Sequence, residues 1–254
     1  SRPLGSETKQ HRITEGLILR EYPSIAENDR FVAILTRDVG LLRASARGAK
    51  KLHSRLGAGT QPLCYARLHL IPGRDKYIVE DARPLEVFFP LRQDVEKLAL
   101  AQYFCELALH MTPTDAPAEE HLRLLLNGLH YLAQGSREPL LVKAVVEGRL
   151  LCLEGYAPEL SGCCRCGRET GELWFSPLEG TLFCGACSRP GDALPVTPGM
   201  LAALRHVLYG TFERCFAFSL PAGELEWLAQ LMERFLLAQT PRRYPTLEFY
   251  HSLT

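Results

Sequence analysis

Two Cys-x-x-Cys pairs stand close together in the second half of the sequence, Cys163/Cys166 and Cys184/Cys187. Seventeen residues separate the pairs, a spacing typical of sites in which two such turns share one zinc ion. Each turn aims two sulfurs at one point, and two turns complete a tetrahedron around Zn²⁺. Because four thiolates leave no open coordination position, the pattern predicts one structural zinc ion and no metal catalysis.

The segment between the two pairs resembles a short hairpin, with strands at residues 173–175 and 181–183 and a turn at 177–180. Cys164 lies inside the first pair and is too close to Cys166 for a usual knuckle, so we leave it outside the ligand set. The alternative interpretation is that these four cysteines form a pair of disulfides or remain free thiols. Disulfides are disfavoured because nothing in the sequence indicates an oxidising compartment.

Motifs for catalysis are missing from the sequence. It contains no His-Glu-x-x-His, no Walker loop and no Gly-x-Ser-x-Gly, and no His-x-Glu precedes the first Cys pair. We therefore expect a protein that is not an enzyme. No apolar run reaches the length of a membrane span, and the remaining cysteines are scattered among apolar neighbours. We expect a cytoplasmic protein without a membrane partner.

The charge is distributed unevenly, although the net charge is zero. Residues 1–83 contain fifteen Lys and Arg against nine Asp and Glu, a balance of +6, and residues 84–254 carry −6. A basic half indicates a nucleic-acid surface. The candidate DNA contacts are the cations of one predicted strand face, the loop after it, and two outward residues of a later strand: Arg43, Arg47, Lys50, Lys51, Arg55, Tyr65 and Arg67.

Tyr65 and Tyr77 are candidate platforms for base stacking, provided that they point outward beside the cations. Two plainer interpretations stay open. The charges could belong to an ordinary solvated strand face, and each tyrosine could pack in a core.

Five short strands with no helix between them occupy the first third of the chain, and they predict a small closed barrel. The five-stranded oligonucleotide-binding (OB) fold is the main prediction, and an SH3-like barrel is the alternative. The strands are predicted at residues 13–22, 31–36, 41–47, 63–71 and 76–82.

Helical periodicity follows the barrel, so the fold class is α+β. Helices are predicted at 91–110, 118–134, 139–154, 199–208 and 224–239, with a tail at 246–254. The zinc module is thus inserted into one helical domain. The predicted division is a tail at 1–12 that is partly of artificial origin, an OB domain at 13–83, helical parts at 84–160 and 191–254, and the zinc module at 161–190.

These features together resemble the RecO family of bacterial recombination mediators, over nearly the whole chain from about Ile13. The order and spacing of four stretches carry the resemblance: residues 16–20 (GLILR) with 28–30 (NDR), 36–42 (TRDVGLL) with 46–51 (ARGAKK), 153–160 (LEGYAPEL), and the two Cys pairs.

The resemblance implies an OB domain, a helical domain with an inserted zinc module, and binding of single- and double-stranded DNA. It also implies annealing of complementary strands, partnership with RecR, and loading of RecA onto DNA coated with single-stranded-DNA-binding protein. It implies that zinc is not required for this activity. Two other hypotheses stay open at this point: a zinc-containing enzyme acting on nucleic acid, and a zinc-ribbon scaffold or regulator that binds only protein.

Overall fold

The structure is a computed structural model that describes residues 11–254. Five strands form a closed barrel in the order β1-β2-β3-β5-β4, and β4 pairs back onto β1. This order confirms the predicted OB-type barrel. The predicted tail at residues 1–12 lies almost entirely outside the described residues. The strands are β1 (Arg12–Tyr22), β2 (Arg30–Thr36), β3 (Gly40–Ala46), β4 (Tyr65–Pro72) and β5 (Tyr77–Glu86).

Alternation along β3 decides which residues enter the barrel core. Leu42, Ala44 and Ala46 are buried in the core. Arg43 is exposed, as predicted, because successive side chains of a strand point to opposite faces. Tyr77 is also a core residue and only 8% exposed. The interpretation of Tyr77 as a stacking platform is therefore wrong: the start of β5 lies beside Ala44 of β3 and turns this ring inward.

The turn between β2 and β3 depends on a glycine. Gly40 has a φ of +74°, a backbone conformation that favours glycine. A Cβ at this position would lie 2.2 Å from the Pro113 carbonyl oxygen. The amide of Leu41 donates to that same carbonyl at 2.8 Å, so the turn and the 113–118 segment approach each other closely.

Six α-helices follow the barrel in the described residues, and five of them were predicted. The first begins at Val95 and not at residue 91, because Phe89–Gln93 forms a separate 3₁₀ helix. The predicted tail is wrong, since it contains a helix that buries Leu247 and Tyr250. The helices are α1 (Val95–Met111), α2 (Glu119–Gln134), α3 (Pro139–Leu153), α4 (Pro198–Tyr209), α5 (Ala222–Gln239) and α6 (Pro245–Ser252).

A four-stranded sheet lies between α3 and α4 in the chain, in the order β6-β8-β7-β9. The predicted hairpin corresponds to β7 and β8, but the sheet is larger than predicted. Residues 194–196 form a strand in a segment for which the sequence predicts none. This strand has three residues and contains Pro195, so it carries almost no sequence signal. The strands are β6 (Glu159–Cys163), β7 (Leu173–Ser176), β8 (Thr181–Cys184) and β9 (Leu194–Val196).

The chain separates into two compact units. The first comprises the described residues up to Asp94 with Cys105–Asn127, and the second comprises Val95–Phe104 with Gly128–Thr254. Both α1 and α2 contribute residues to each unit, so the domain boundaries drawn from the sequence remain a prediction. No helix in the described part of the chain is long and apolar enough to cross a membrane.

The second unit contains a buried charge network. The Lys143 ammonium lies 3.2 Å from a Glu147 carboxylate oxygen and 2.8 Å from one of Glu233. The Tyr103 hydroxyl donates to Glu147 at 2.6 Å. Burial alone would lower the pKa of Lys143, but the two carboxylates outweigh it and raise that pKa, so the lysine stays charged.

Candidate metal centre and nucleic-acid interface

The small sheet brings the two Cys pairs together. Cys163 ends β6 and Cys184 ends β8, and these strands run parallel as neighbours. Each pair then turns back through backbone hydrogen bonds, such as the amide of Gly167 donating to the Cys163 carbonyl at 2.8 Å. Gly167 has a φ of +77°, which this tight turn requires.

The four sulfurs form a cluster of the right size for a metal ion. The Sγ atoms of Cys163, Cys166, Cys184 and Cys187 all lie within 4.8 Å of one another. The Cys166 and Cys184 sulfurs are 3.6 Å apart. A tetrahedral ion with metal–sulfur bonds of ~2.3 Å needs sulfurs roughly 3.8 Å apart. These four side chains can therefore hold a metal ion.

Backbone amides prepare one of these sulfurs for coordination. Burial raises the pKa of the Cys163 thiol, but amides of Cys166, Arg165 and Cys184 outweigh it and bring that pKa down to about 6. A thiolate is the form that binds metal, so the knuckle backbone favours ligation before any ion arrives. Cys164 is exposed and lies outside the four-sulfur group.

A second candidate site lies on the outer surface of the barrel, where two aromatic rings meet two cations. Tyr22 is the last residue of β1 and Phe31 the second residue of β2, and the centres of their rings are 5.6 Å apart. The Arg43 guanidinium lies 4.8 Å from the centre of the Tyr22 ring. The Lys76 ammonium lies 4.5 Å from the centre of the Phe31 ring. We name these four residues the aromatic–basic surface.

The aromatic–basic surface is suited to single-stranded nucleic acid. Rings stack on bases and cations hold phosphates. In OB folds, oligonucleotides bind on the face of the second and third strands and on the adjoining loops. Of these four residues, only Arg43 was predicted. Tyr22 and Phe31 were missed because their partnership depends on the β1–β2 register, which pairs them directly.

The loops at the adjacent end of the barrel carry four more of the predicted cations, Arg47, Lys50, Lys51 and Arg55. We call residues 23–29 and 47–57 the loop end. The amide of Lys50 donates to the Asn28 carbonyl at 3.0 Å, which ties the two loops together. The Lys50 ammonium lies 3.2 Å from Glu21, whereas Arg47 and Lys51 are exposed. The Arg55 guanidinium donates to the Glu80 carbonyl at 2.9 Å.

The structure does not bring Tyr65 and Arg67 to this group. Both lie on β4, which pairs with β1 and β5 and not with β3. The Tyr65 hydroxyl donates to the Glu15 carboxylate, and burial and this hydrogen bond raise the pKa of Tyr65 to about 12. Arg67 is exposed and lines a separate cavity of about 260 Å³ with Arg83 and Asp81.

Fold and sites together define an α+β protein that joins an oligonucleotide-binding barrel to helices with a four-cysteine module. Comparison with known proteins gives a more specific result. The family model described as "Recombination protein O N terminal" matches residues 11–88, and "Recombination protein O C terminal" matches residues 92–248.

Curated relatives match over most of their length. The DNA repair protein RecO of Acetivibrio thermocellus is 31% identical over 242 residues, covering 94% of this chain and 96% of that protein. That of Desulforudis audaxviator is 33% identical over 247 residues, covering 96% and 98%. That of Heliobacterium modesticaldum is 39% identical over 202 residues, covering 76% and 72%. The chain belongs to the RecO family of DNA repair proteins.

Proposed function

We propose that this protein is a recombination mediator that binds single- and double-stranded DNA and anneals complementary strands without chemical turnover. With RecR it helps to load RecA onto DNA coated with single-stranded-DNA-binding protein, in the cytoplasm at the nucleoid. Family membership supports this role. The observation that carries the DNA-binding part is the aromatic–basic surface on the OB-type barrel.

The proposed DNA path crosses the aromatic–basic surface and continues over the loop end. Arg43 and Lys76 lie on the rings, and Arg47, Lys50 and Lys51 extend the positive charge from there. Arg55 lies in the same loop. Tyr65 and Arg67 belong to another face of the barrel, and we place them outside the main path.

The direct test measures binding and annealing in the same preparations. Tyr22→Ala is expected to weaken oligo-thymidine binding by ~1–3 kcal/mol with little change in salt dependence, because stacking involves no counterion release. Annealing of complementary strands, followed by fluorescence without nucleotide, is expected to slow in parallel. The matched control is Tyr65→Ala, which removes a ring of the same type from β4.

The outcomes separate the alternatives. Parent protein that binds no DNA at low salt contradicts the proposed function and favours the protein-only scaffold. A larger loss for Tyr65→Ala than for Tyr22→Ala contradicts the proposed path but not the function.

We further propose that the four-cysteine cluster holds one structural zinc ion through Cys163, Cys166, Cys184 and Cys187. The number and type of donors and their spacing support zinc. Elemental analysis of reduced protein is expected to find about one zinc per chain. Cys166→Ser is expected to lose the metal, and the control Cys164→Ser is expected to retain it. Metal loss in Cys164→Ser alone would contradict this ligand set.

A further inference from the structure

Two large apolar side chains at the loop end are unusually exposed. Ile25 is fully exposed and Leu52 keeps 88% of its surface exposed. Among residues 11–254, the next most exposed large apolar side chain is Leu178, at 67%. Single exposed apolar residues are common and need no explanation. These two, however, lie on the two loops that meet at the same end of the barrel.

Backbone hydrogen bonds hold both loops in defined turns. The amide of Ser54 donates to the Lys51 carbonyl at 3.1 Å, so Leu52 and His53 are the central residues of a closed turn. His53 has a φ of +63°, which a non-glycine residue rarely adopts. In the other loop, the amide of Asp29 donates to the Ala26 carbonyl at 3.1 Å, directly after Ile25.

Further contacts fix these turns to the barrel and to each other. The amide of Gly48 donates to the Asp29 carboxylate at 2.8 Å. The buried Arg30 guanidinium donates to the Gly57 carbonyl and to the Thr60 hydroxyl, both at 2.8 Å. Arg30 thus anchors the far end of the second loop to the start of β2. The apolar tips are consequently presented by braced loops.

The chemistry around the Leu52 tip matches DNA. Lys50 and Lys51 directly precede Leu52, and an apolar knob among ammonium groups suits a ligand that offers both phosphates and flat apolar faces. The first loop joins Tyr22 to Phe31, so Ile25 lies between two members of the aromatic–basic surface in the chain. Proteins that unstack DNA insert Leu and Ile side chains between base steps in this way.

We infer that Ile25 and Leu52 are wedge residues that insert between bases of DNA held at the loop end and open one base step. This inference rests on the proposed function. The preferred ligand is a junction of single and double strands, because its terminal base pair offers an accessible base face next to the single strand that crosses the barrel.

A fluorescent base analogue tests the inference on the whole chain of residues 1–254. The probe is a primer–template junction with 2-aminopurine in the terminal base pair, whose fluorescence rises when it loses its stacked neighbours. Parent protein is expected to raise the fluorescence. The double variant Ile25→Ser with Leu52→Ser is expected to lose that rise, and its binding is expected to keep the salt dependence of the parent because no charge changes. The control Leu178→Ser, on the loop joining β7 and β8, is expected to behave as the parent.

Anisotropy of a dye on the same junction separates this test from that of the proposed function. Absence of binding by the parent at low salt contradicts the proposed function. Binding without a fluorescence rise in the parent, or an undiminished rise in the double serine variant, overturns the wedge inference alone. If the serine variants instead lose a protein partner while the fluorescence rise persists, the tips are a protein contact and the inference is also overturned.

Discussion

The two adjacent lysines of the loop end should contribute unequally to DNA binding. The Lys50 ammonium lies 3.2 Å from the Glu21 carboxylate, which already neutralises part of its charge. Lys51 is exposed and has no ion-pair partner among the described residues. DNA binding at Lys50 therefore competes with an existing ion pair, whereas a phosphate at Lys51 displaces only counterions and water. We expect Lys51→Ala to weaken binding more than Lys50→Ala.

The magnitude follows from counterion release. One phosphate contact with a single strand changes the slope of log K against log salt by about 0.7. Raising salt from 50 to 200 mM weakens DNA binding, and a variant that lacks one full phosphate contact should be weakened roughly 2.5-fold less than the parent over this range. We expect Lys51→Ala to lower the slope by about 0.7 and Lys50→Ala by about half as much. The double variant should lower it by about 1, since the two charges lie side by side.

Fluorescence anisotropy with labelled oligo-thymidine across a salt series measures these slopes. Arg234→Ala serves as the control, because it removes an exposed cation from α5. Equal slopes for the parent and the double variant would refute the proposed path and redirect it to other cations, such as those of the four-cysteine module. A larger effect of Lys50→Ala would refute the reasoning from the Glu21 ion pair.

Two further predictions concern stability. Lys143→Met leaves the Glu147 carboxylate buried without its cation and should lower the free energy of unfolding in urea by about 3–5 kcal/mol. Adding Glu147→Leu should restore part of that loss, because it removes the unpaired carboxylate. A loss below ~1 kcal/mol for Lys143→Met would show that the network is not charged as described. Gly40→Ala places a methyl group against the Pro113 carbonyl at a residue in a left-handed conformation, and it should lower the free energy of unfolding by about 2 kcal/mol or more. The control Gly191→Ala adds a methyl group that meets nothing within 4 Å and should change that free energy little. Equal melting temperatures for these two variants would contradict this account.

Local patterns were enough to predict the barrel and the metal cluster. The alternation of Leu42, Arg43 and Ala44 fixes which side of β3 enters a core, because the period of a strand is two residues. The Cys-x-x-Cys spacing likewise fixes how two sulfurs are presented within one turn.

Features that depend on pairing between distant segments could not be predicted. The sequence left open whether Tyr77 points outward or packs in the core, and only the pairing of β3 with β5 decides for the core. The strand Leu194–Val196 exists because β7 offers it an edge. The final helix was missed because it is short and has few apolar residues. Its burial of Leu247 and Tyr250 depends on packing against other parts of the fold.

The DNA-binding hypothesis shows the same division. The sequence by itself determined that the first third of the chain is basic, and it located Arg43, Lys50 and Lys51, because charge is a property of each residue. Only the tertiary structure shows that Tyr22 contacts Phe31 and that a cation lies on each ring. It also shows that Tyr65 lies on the side of the barrel where its hydroxyl donates to Glu15. The physical reason is that a barrel surface is assembled across strands, so its neighbours are set by register and closure and not by separation along the chain.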